Sequence, residues 1–406
     1  MYRLIYPIKD SYLYELNTND EKNFGGDNNL VLKKDIVDNT LNGVSRLLLQ
    51  FDLTNISKSL SFGEITNPSY YLRLYEQKAS ELSPTYQLNA YALSSSWKSG
   101  TGNAEENLNK RNGTSWKRRN ETFNDTDWFV GGIGTSEIPM TSASKLLGEG
   151  VNPHLDSGNR KDGGGVWYDE GGLATSDWTI PSISAISSQS FSYQSPDIEM
   201  NVTDIINKWL DGTRQNEGFI IKWDTNDSNL NPTSQSQEDS VDKSGDINFY
   251  SMDANSVYSP KLEVRWDDSS YTYGGSDFLI ADGTKDFFLY INNFKKIYGE
   301  TEIPAFRIGV RERYKVKSTS TSKSSLTSYF LKSGKAWYSI IDVKTGETIV
   351  PFGDNSKLSS DSISSYFKLN LTGFITNRLY RIKVKAQTDD GISRIFNDNF
   401  DFRVES

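Results

Sequence analysis

Apolar residues in this chain recur mostly at intervals of two, or in short runs bounded by Gly, Asn, Ser and Asp. That is the pattern of β-strands joined by turns. Between Tyr70 and Glu76, Tyr70, Leu72 and Leu74 fall on one face and Tyr71, Arg73 and Tyr75 on the other. The run Tyr86–Leu93 keeps the same period, whereas Ser45–Leu53 is apolar enough for a strand buried on both sides. Further strands are predicted at Gly218–Trp223, Ile247–Ser251 and Lys261–Trp266. After these come Asp286–Ile291, Ala305–Arg311, Ala336–Asp342, Tyr366–Leu369, Arg378–Lys385 and Phe400–Val404. Lys344–Glu347 reads as a hairpin turn, and residues 326–331 as one more strand. One segment has helical spacing: Val202, Ile205, Ile206, Trp209 and Leu210 predict a short helix over 203–211. Thr203 is placed to cap it and Gly212 to stop it.

These elements predict an all-β chain of two parts. Residues 1–267 form an N-terminal jelly-roll or β-sandwich, 268–276 a linker, and 277–406 a C-terminal β-sandwich of immunoglobulin-like size. From about 98 to 193 the pattern loosens into glycine clusters with Trp97, Trp116, Trp128, Trp167 and Trp178 among polar residues. This stretch is expected to be a loop-rich insertion laid over one side of the sandwich. Its aromatic rings have two readings. They stack on sugars, with Trp116, Trp128, Trp167, Tyr168 and Trp178 as glycan-contact residues, or they pin long loops to the core.

Composition narrows the chemistry. The 406 residues include no Cys and a single His, His154, which excludes disulfides, thiolate metal sites, thiol nucleophiles and multi-histidine metal centres. His154 lies in the insertion and is expected to be a solvated loop residue. No apolar run approaches a membrane span, and the first residues do not form a secretory leader. Net charge is −9, unevenly divided: from residue 271 onward 20 Lys and Arg face 15 Asp and Glu, a net of +5, which leaves −14 before it. That balance argues against nucleic acid as a partner. No phosphate loop is present. Carboxylates such as Asp125, Asp127, Asp169 and Glu170 lie near tryptophans, but adjacency among 53 acidic residues singles out none as catalytic. Asp224–Ser228 alternates oxygen donors that could hold a structural calcium, yet lacks the glycine and terminal Glu of an EF-hand loop; a surface turn is the default. No catalytic, cofactor or metal residue is therefore expected.

Four segments resemble a known module: SRLLLQFDL (45–53), YLRLY (71–75), DIEMNVTDIINKWLDGTRQNEGFIIKW (197–223) and FYSMDANSVYSPKLEVRW (249–266). They are similar to the DNRLRE-type carbohydrate-binding-like jelly roll, through Val202, Thr203, Ile206, Trp209, Gly212, Asn216, Gly218 and Phe219, then Tyr250, Ser251, Pro260 and Leu262. The insertion, with GTSWKRRNETFNDTDW (113–128) and GGGVWYDEGG (163–172), resembles the version in tailed-bacteriophage virion proteins. That resemblance implies a non-enzymatic virion component of tail, neck, baseplate or capsid surface, made in the host cytoplasm. Its partners would be other virion proteins and copies of itself, without membrane insertion. The alternative is a fibre or adsorption protein that binds host glycan through the Trp-rich insertion. A polysaccharide-degrading enzyme is the third reading.

Overall fold

The structure, a computed structural model, describes residues 1–15, 22–93, 95–105, 112–120, 126–128, 164–165, 186–224, 243–272, 287–314, 329–331, 334–387 and 391–406. It is all-β, as the alternation predicts. In chain order the elements begin with β1 (Tyr2–Ile5), β2 (Pro7–Tyr14), β3 (Asn29–Val37), β4 (Thr40–Phe51), α1 (Thr54–Ser61), β5 (Ser69–Leu74), β6 (Glu76–Ser80) and β7 (Thr85–Ala92). They continue with β8 (Arg118–Asn120), β9 (Thr126–Asp127), β10 (Ile186–Ser192), β11 (Ile198–Asn201), α2 (Thr203–Leu210), β12 (Phe219–Asp224), β13 (Gly245–Tyr250) and β14 (Lys261–Arg265). Then follow β15 (Phe287–Asn292), β16 (Ile297–Gly299), β17 (Ala305–Glu312), β18 (Ala336–Asp342), β19 (Thr348–Val350), β20 (Ser359–Ser360), β21 (Ser365–Lys368), β22 (Leu379–Gln387) and β23 (Ser393–Glu405). The chain divides into two compact units: Ile5–Lys58 with Ser69–Glu263, and Met1–Leu4 with Ser59–Pro68 and Val264–Ser406.

The larger unit is built on an eight-stranded antiparallel sheet in the order β10-β7-β12-β4-β3-β13-β6, with β2 also paired to β4. Strand β4 lies at its centre, and Leu47, Leu48 and Leu49 are all fully buried. Successive side chains on a strand point to opposite faces, so this sheet is covered on both sides. On one side Tyr86 stacks on Phe191 at 4.6 Å and meets Trp223 at 5.1 Å. The alternation read in β5 also holds, with Tyr70, Leu72 and Leu74 buried and β11 paired alongside in the register Ile198↔Leu74. Strand β10 extends the main sheet into the stretch read as insertion, through Phe191↔Tyr86 and Ile186↔Tyr91.

Helix α2 buries Ile205, Ile206 and Trp209, and its indole packs on Phe219 at 4.7 Å. Gly212 adopts φ +78°, the left-handed stop expected of it. Thr203, however, does not cap the helix. Val202 takes the cap position without a side-chain bond. The Thr203 hydroxyl instead donates to Asn201 Oδ1 (2.6 Å) and accepts from the Tyr70 N–H (2.9 Å), which ties the helix start to β5. Helix α1 was not legible in the sequence: it buries Ile56 alone, too little to mark a period.

The smaller unit pairs a four-stranded sheet, β15-β17-β21-β20, with a five-stranded one, β16-β23-β22-β18-β19. All the strand pairs described in it are antiparallel except β16 with β23. Aromatic contacts fill its core: Tyr338 stacks on Phe367 at 4.0 Å, Phe367 on Phe306 at 5.1 Å, and Tyr298 meets Phe402 edge-on at 5.7 Å. Tyr380, at the start of β22, donates its hydroxyl to the carbonyl of Ile375 five residues upstream, in the manner of the tyrosine corner of Greek-key sandwiches. The predicted hairpin turn is present between β18 and β19. Gly346 has φ +75°, and Asp342 Oδ1 accepts the N–H groups of Lys344 and Thr345. Tyr329 bridges Val310; the rest of the strand read at 326–331 lies partly outside the described residues. Among the described residues no helix is long and apolar enough to cross a membrane.

Strand β2 carries a buried carboxyl, Asp10, 2% exposed, whose Oδ2 accepts the Met252 N–H at 2.8 Å. Burial pushes its pKa up to about 7; the Met252 N–H opposes this and the charge of Asp253 adds to it. The native state therefore holds a proton that the unfolded chain releases near pH 4. Stability linked to Asp10 is complete below pH 4 and is lost as pH rises through 7. Asp10→Asn keeps an acceptor for Met252 without the titration. Its thermal midpoint relative to wild type is expected to rise steadily from pH 4 to pH 8, which pH-resolved melting curves would show; a constant difference would refute the assignment.

Candidate functional site

The second face of the large sheet carries Leu13, Val44, Leu48, Tyr91 and Ile220, an apolar patch with Arg46 in its midst. The sequence covers it with the start of the loop-rich stretch. Trp97, Trp116 and Trp128 join that apolar cluster. The Arg46 guanidinium stands 4.7 Å over the Trp116 ring and donates to the carbonyl of Gly164, whose φ is +86°. Trp128 Nε1 donates to the Ser115 carbonyl at 2.9 Å. Trp116 and Trp128 are 3% and 1% exposed, so neither offers a ring face to a sugar; of the two readings, these two residues follow the one in which they pin the loop. Trp167, Tyr168 and Trp178 lie outside the described residues, as do His154, Asp125, Asp169, Glu170 and residues 225–228. Asp127 falls in β9. Among the described residues no group of three or more His, Cys, Asp or Glu is placed to hold a metal ion.

The covering loop is anchored by one asparagine. Asn23, 1% exposed, donates through Nδ2 to the carbonyls of Ser99 (2.6 Å) and Thr114 (2.7 Å), and accepts the Gly102 N–H at Oδ1 (2.8 Å). Gly100, at φ +82°, and Gly113 lie so close that a Cβ on either would strike the Asn23 amide. This is why the loop begins with glycines around Thr101 and returns through another.

Anchoring sets two backbone segments side by side. The Lys98 N–H donates to the Arg119 carbonyl (3.1 Å) and the Thr114 N–H to the Lys98 carbonyl (2.7 Å). Between them opens a polar cleft of about 140 Å³ lined by Ser96, Trp97, Lys98, Arg119 and Asn120. It is smaller than an enclosed small-molecule pocket of ~300–1,000 Å³, and suits one exposed segment of a longer ligand. The indole of Trp97 is held in place: Nε1 donates to the Glu217 carbonyl (2.8 Å), and the Lys9 ammonium sits 4.8 Å from the ring and donates to the Trp97 carbonyl (2.7 Å). Burial lowers the Lys9 pKa, and the nearby Glu217 charge partly restores it. Lys98 and Arg119 form no ion pair among the described residues, and the buried Oδ1 of Asn120 has no hydrogen-bond partner there. The cleft thus presents two cationic donors, able to bond the oxygen atoms of a hydroxyl-rich ligand.

A model of carbohydrate-binding module family 96 matches residues 2–123. The matched span contains every residue that lines the cleft. Comparison with curated proteins gives no match. Lys98, Arg119 and Asn120 are not among the residues that the alternation or the tryptophans single out. A signal was available: Lys117-Arg118-Arg119-Asn120 is a basic run directly after Trp116, within an otherwise acidic part of the chain.

Asn23→Ala removes four side-chain hydrogen bonds, three to the covering loop and one to the Gly25 N–H, and leaves their backbone partners buried. A loss of about 3 kcal/mol is expected, at ~1–3 kcal/mol for each orphaned group less what relaxation recovers. Urea unfolding would measure it, and faster proteolytic cleavage between residues 98 and 128 would accompany it; unchanged values on both counts would show that Asn23 is not the anchor.

Proposed function

We propose that the larger unit is a non-catalytic module that binds glycan through the cleft between Ser96–Lys98 and Arg119–Asn120. The observation that carries this reading is the match to a carbohydrate-binding module over a span that includes the whole cleft. The chemistry agrees. Sugar hydroxyls accept hydrogen bonds from Lys98 and Arg119. This reading takes precedence over a purely architectural role, because the matching family is defined by ligand binding. Adsorption of a phage particle to its host is one setting for such a module, and it is supported only by the resemblance of the insertion to virion proteins.

Affinity electrophoresis of the full chain through gels containing a panel of soluble polysaccharides tests the proposal. At least one polysaccharide is expected to retard wild type, and Arg119→Ala combined with Asn120→Ala to weaken that retention roughly tenfold, the equivalent of one or two charge-assisted hydrogen bonds. Lys78→Ala, on an exposed position of β6, serves as the control. Unretarded wild type across the panel, an unaffected double variant, or release of reducing sugar would each contradict the proposal.

A further inference from the structure

The four-stranded sheet of the smaller unit has an outward face that the mechanism above does not use. Phe287, Leu289, Phe306, Ile308, Val310 and Phe367 point into the core. Their neighbours on β15, β17 and β21 therefore point outward. The register sets Phe288 opposite Arg311, Tyr290 opposite Gly309, and Arg307 opposite Tyr366. Rings and guanidinium groups alternate across the sheet as a result. Arg311 stands 5.1 Å from the Phe288 ring and 5.9 Å from the Tyr290 ring, and Arg307 stands 5.2 Å from Tyr366. At Gly309 there is no side chain, and the Tyr290 ring lies flat across its backbone; a Cβ there would strike the ring. The face is half-exposed and aromatic.

Its two arginines differ in what they leave free. Arg307 is held by Asp361, with Nη2 2.9 Å from Oδ2, and by the Ser364 hydroxyl at 3.2 Å, and it holds the Asp361 carboxyl down to about 2. Arg311 is exposed and forms no ion pair among the described residues. Lys368, also exposed, adds a second cation on the same side of the sheet. The surrounding part of the chain, residues 271–406, has a net charge of +5.

We propose that this face is a second binding surface, for a polysaccharide that carries carboxylates. The C–H face of a pyranose lies on the Tyr290 ring, and a carboxylate at the edge of that sugar meets the Arg311 guanidinium in its plane, the pairing for which guanidinium geometry is suited. Lys368 draws a neighbouring carboxylate along the chain. Single-stranded nucleic acid also stacks on aromatic rings beside cations. It is the less favoured ligand, because a single free guanidinium and one lysine give it few phosphate contacts. This site is independent of the cleft in the larger unit.

Affinity electrophoresis of the full chain separates the two. Polygalacturonate is expected to retard wild type, and Tyr290→Ala and Arg311→Glu each to weaken that retention roughly tenfold, while the Arg119→Ala, Asn120→Ala double variant keeps the part due to this face. Arg311 is exposed, so unchanged melting of Arg311→Glu shows that the fold is intact. The proposal is overturned if both face variants are retarded like wild type. It is equally overturned if the face variants lose as much retardation in neutral dextran or in dextran sulfate, or if oligothymidylate binds more tightly and loses that binding in the same variants. A dimer that Arg311→Glu dissociates without any glycan present would assign the face to self-association instead. Loss of binding in the double variant alone rejects this surface and leaves the cleft standing.

Discussion

A β-sheet buried on both faces needs a cover on each, and the larger unit depends on how the second cover is attached. On strand β4, Arg46 and Leu48 look out from the sandwich into what would otherwise be water. A guanidinium in that position requires acceptors and a surface to lie on. The Gly164 carbonyl and the Trp116 ring supply them, and the Asn23 amide holds the loop that bears the tryptophan. The same attachment lays residues 96–98 beside 119–120. The cleft is thus a by-product of closing the sheet, and its shape rests on groups that a ligand would never touch.

Local pattern and long-range register account for what was legible in the sequence. Strand β4 was readable as doubly buried because a run of apolar residues without alternation has no other use in a sandwich, and β5 because its alternation is strict. The two helices show the limit. Thr203 has the right residue type at the right place for a cap, yet a strand 133 residues away, with an unpaired N–H at Tyr70, takes its hydroxyl first. Trp116 and Trp128 lie in polar sequence, so nothing nearby says which way their rings turn; Arg46, far upstream, decides it. Likewise Arg119 and Asn120 become neighbours of Ser96 only once Asn23 has closed the loop.

Without a single cysteine, both units rely on packing for cohesion. They do so differently. The larger sheet mixes aliphatic residues such as Leu47–Leu49 with single rings such as Phe51 and Phe219, whereas the smaller unit runs a continuous chain of ring contacts from Tyr338 through Phe367 and Phe306 to Phe402. Rings of that size fill a core with few side chains and few rotatable bonds, which helps a unit of modest length to hold one conformation. The tyrosine corner at Tyr380 fixes the backbone where one strand enters the stack.

Gly309 deserves to be seen as a point of evolutionary leverage. Its missing side chain is what lets the Tyr290 ring lie against the backbone. Any other residue there would push the Tyr290 ring away and reshape the surface from a buried backbone position. The taste of this surface for its ligand can therefore drift by one codon at a position that makes no contact with the ligand at all.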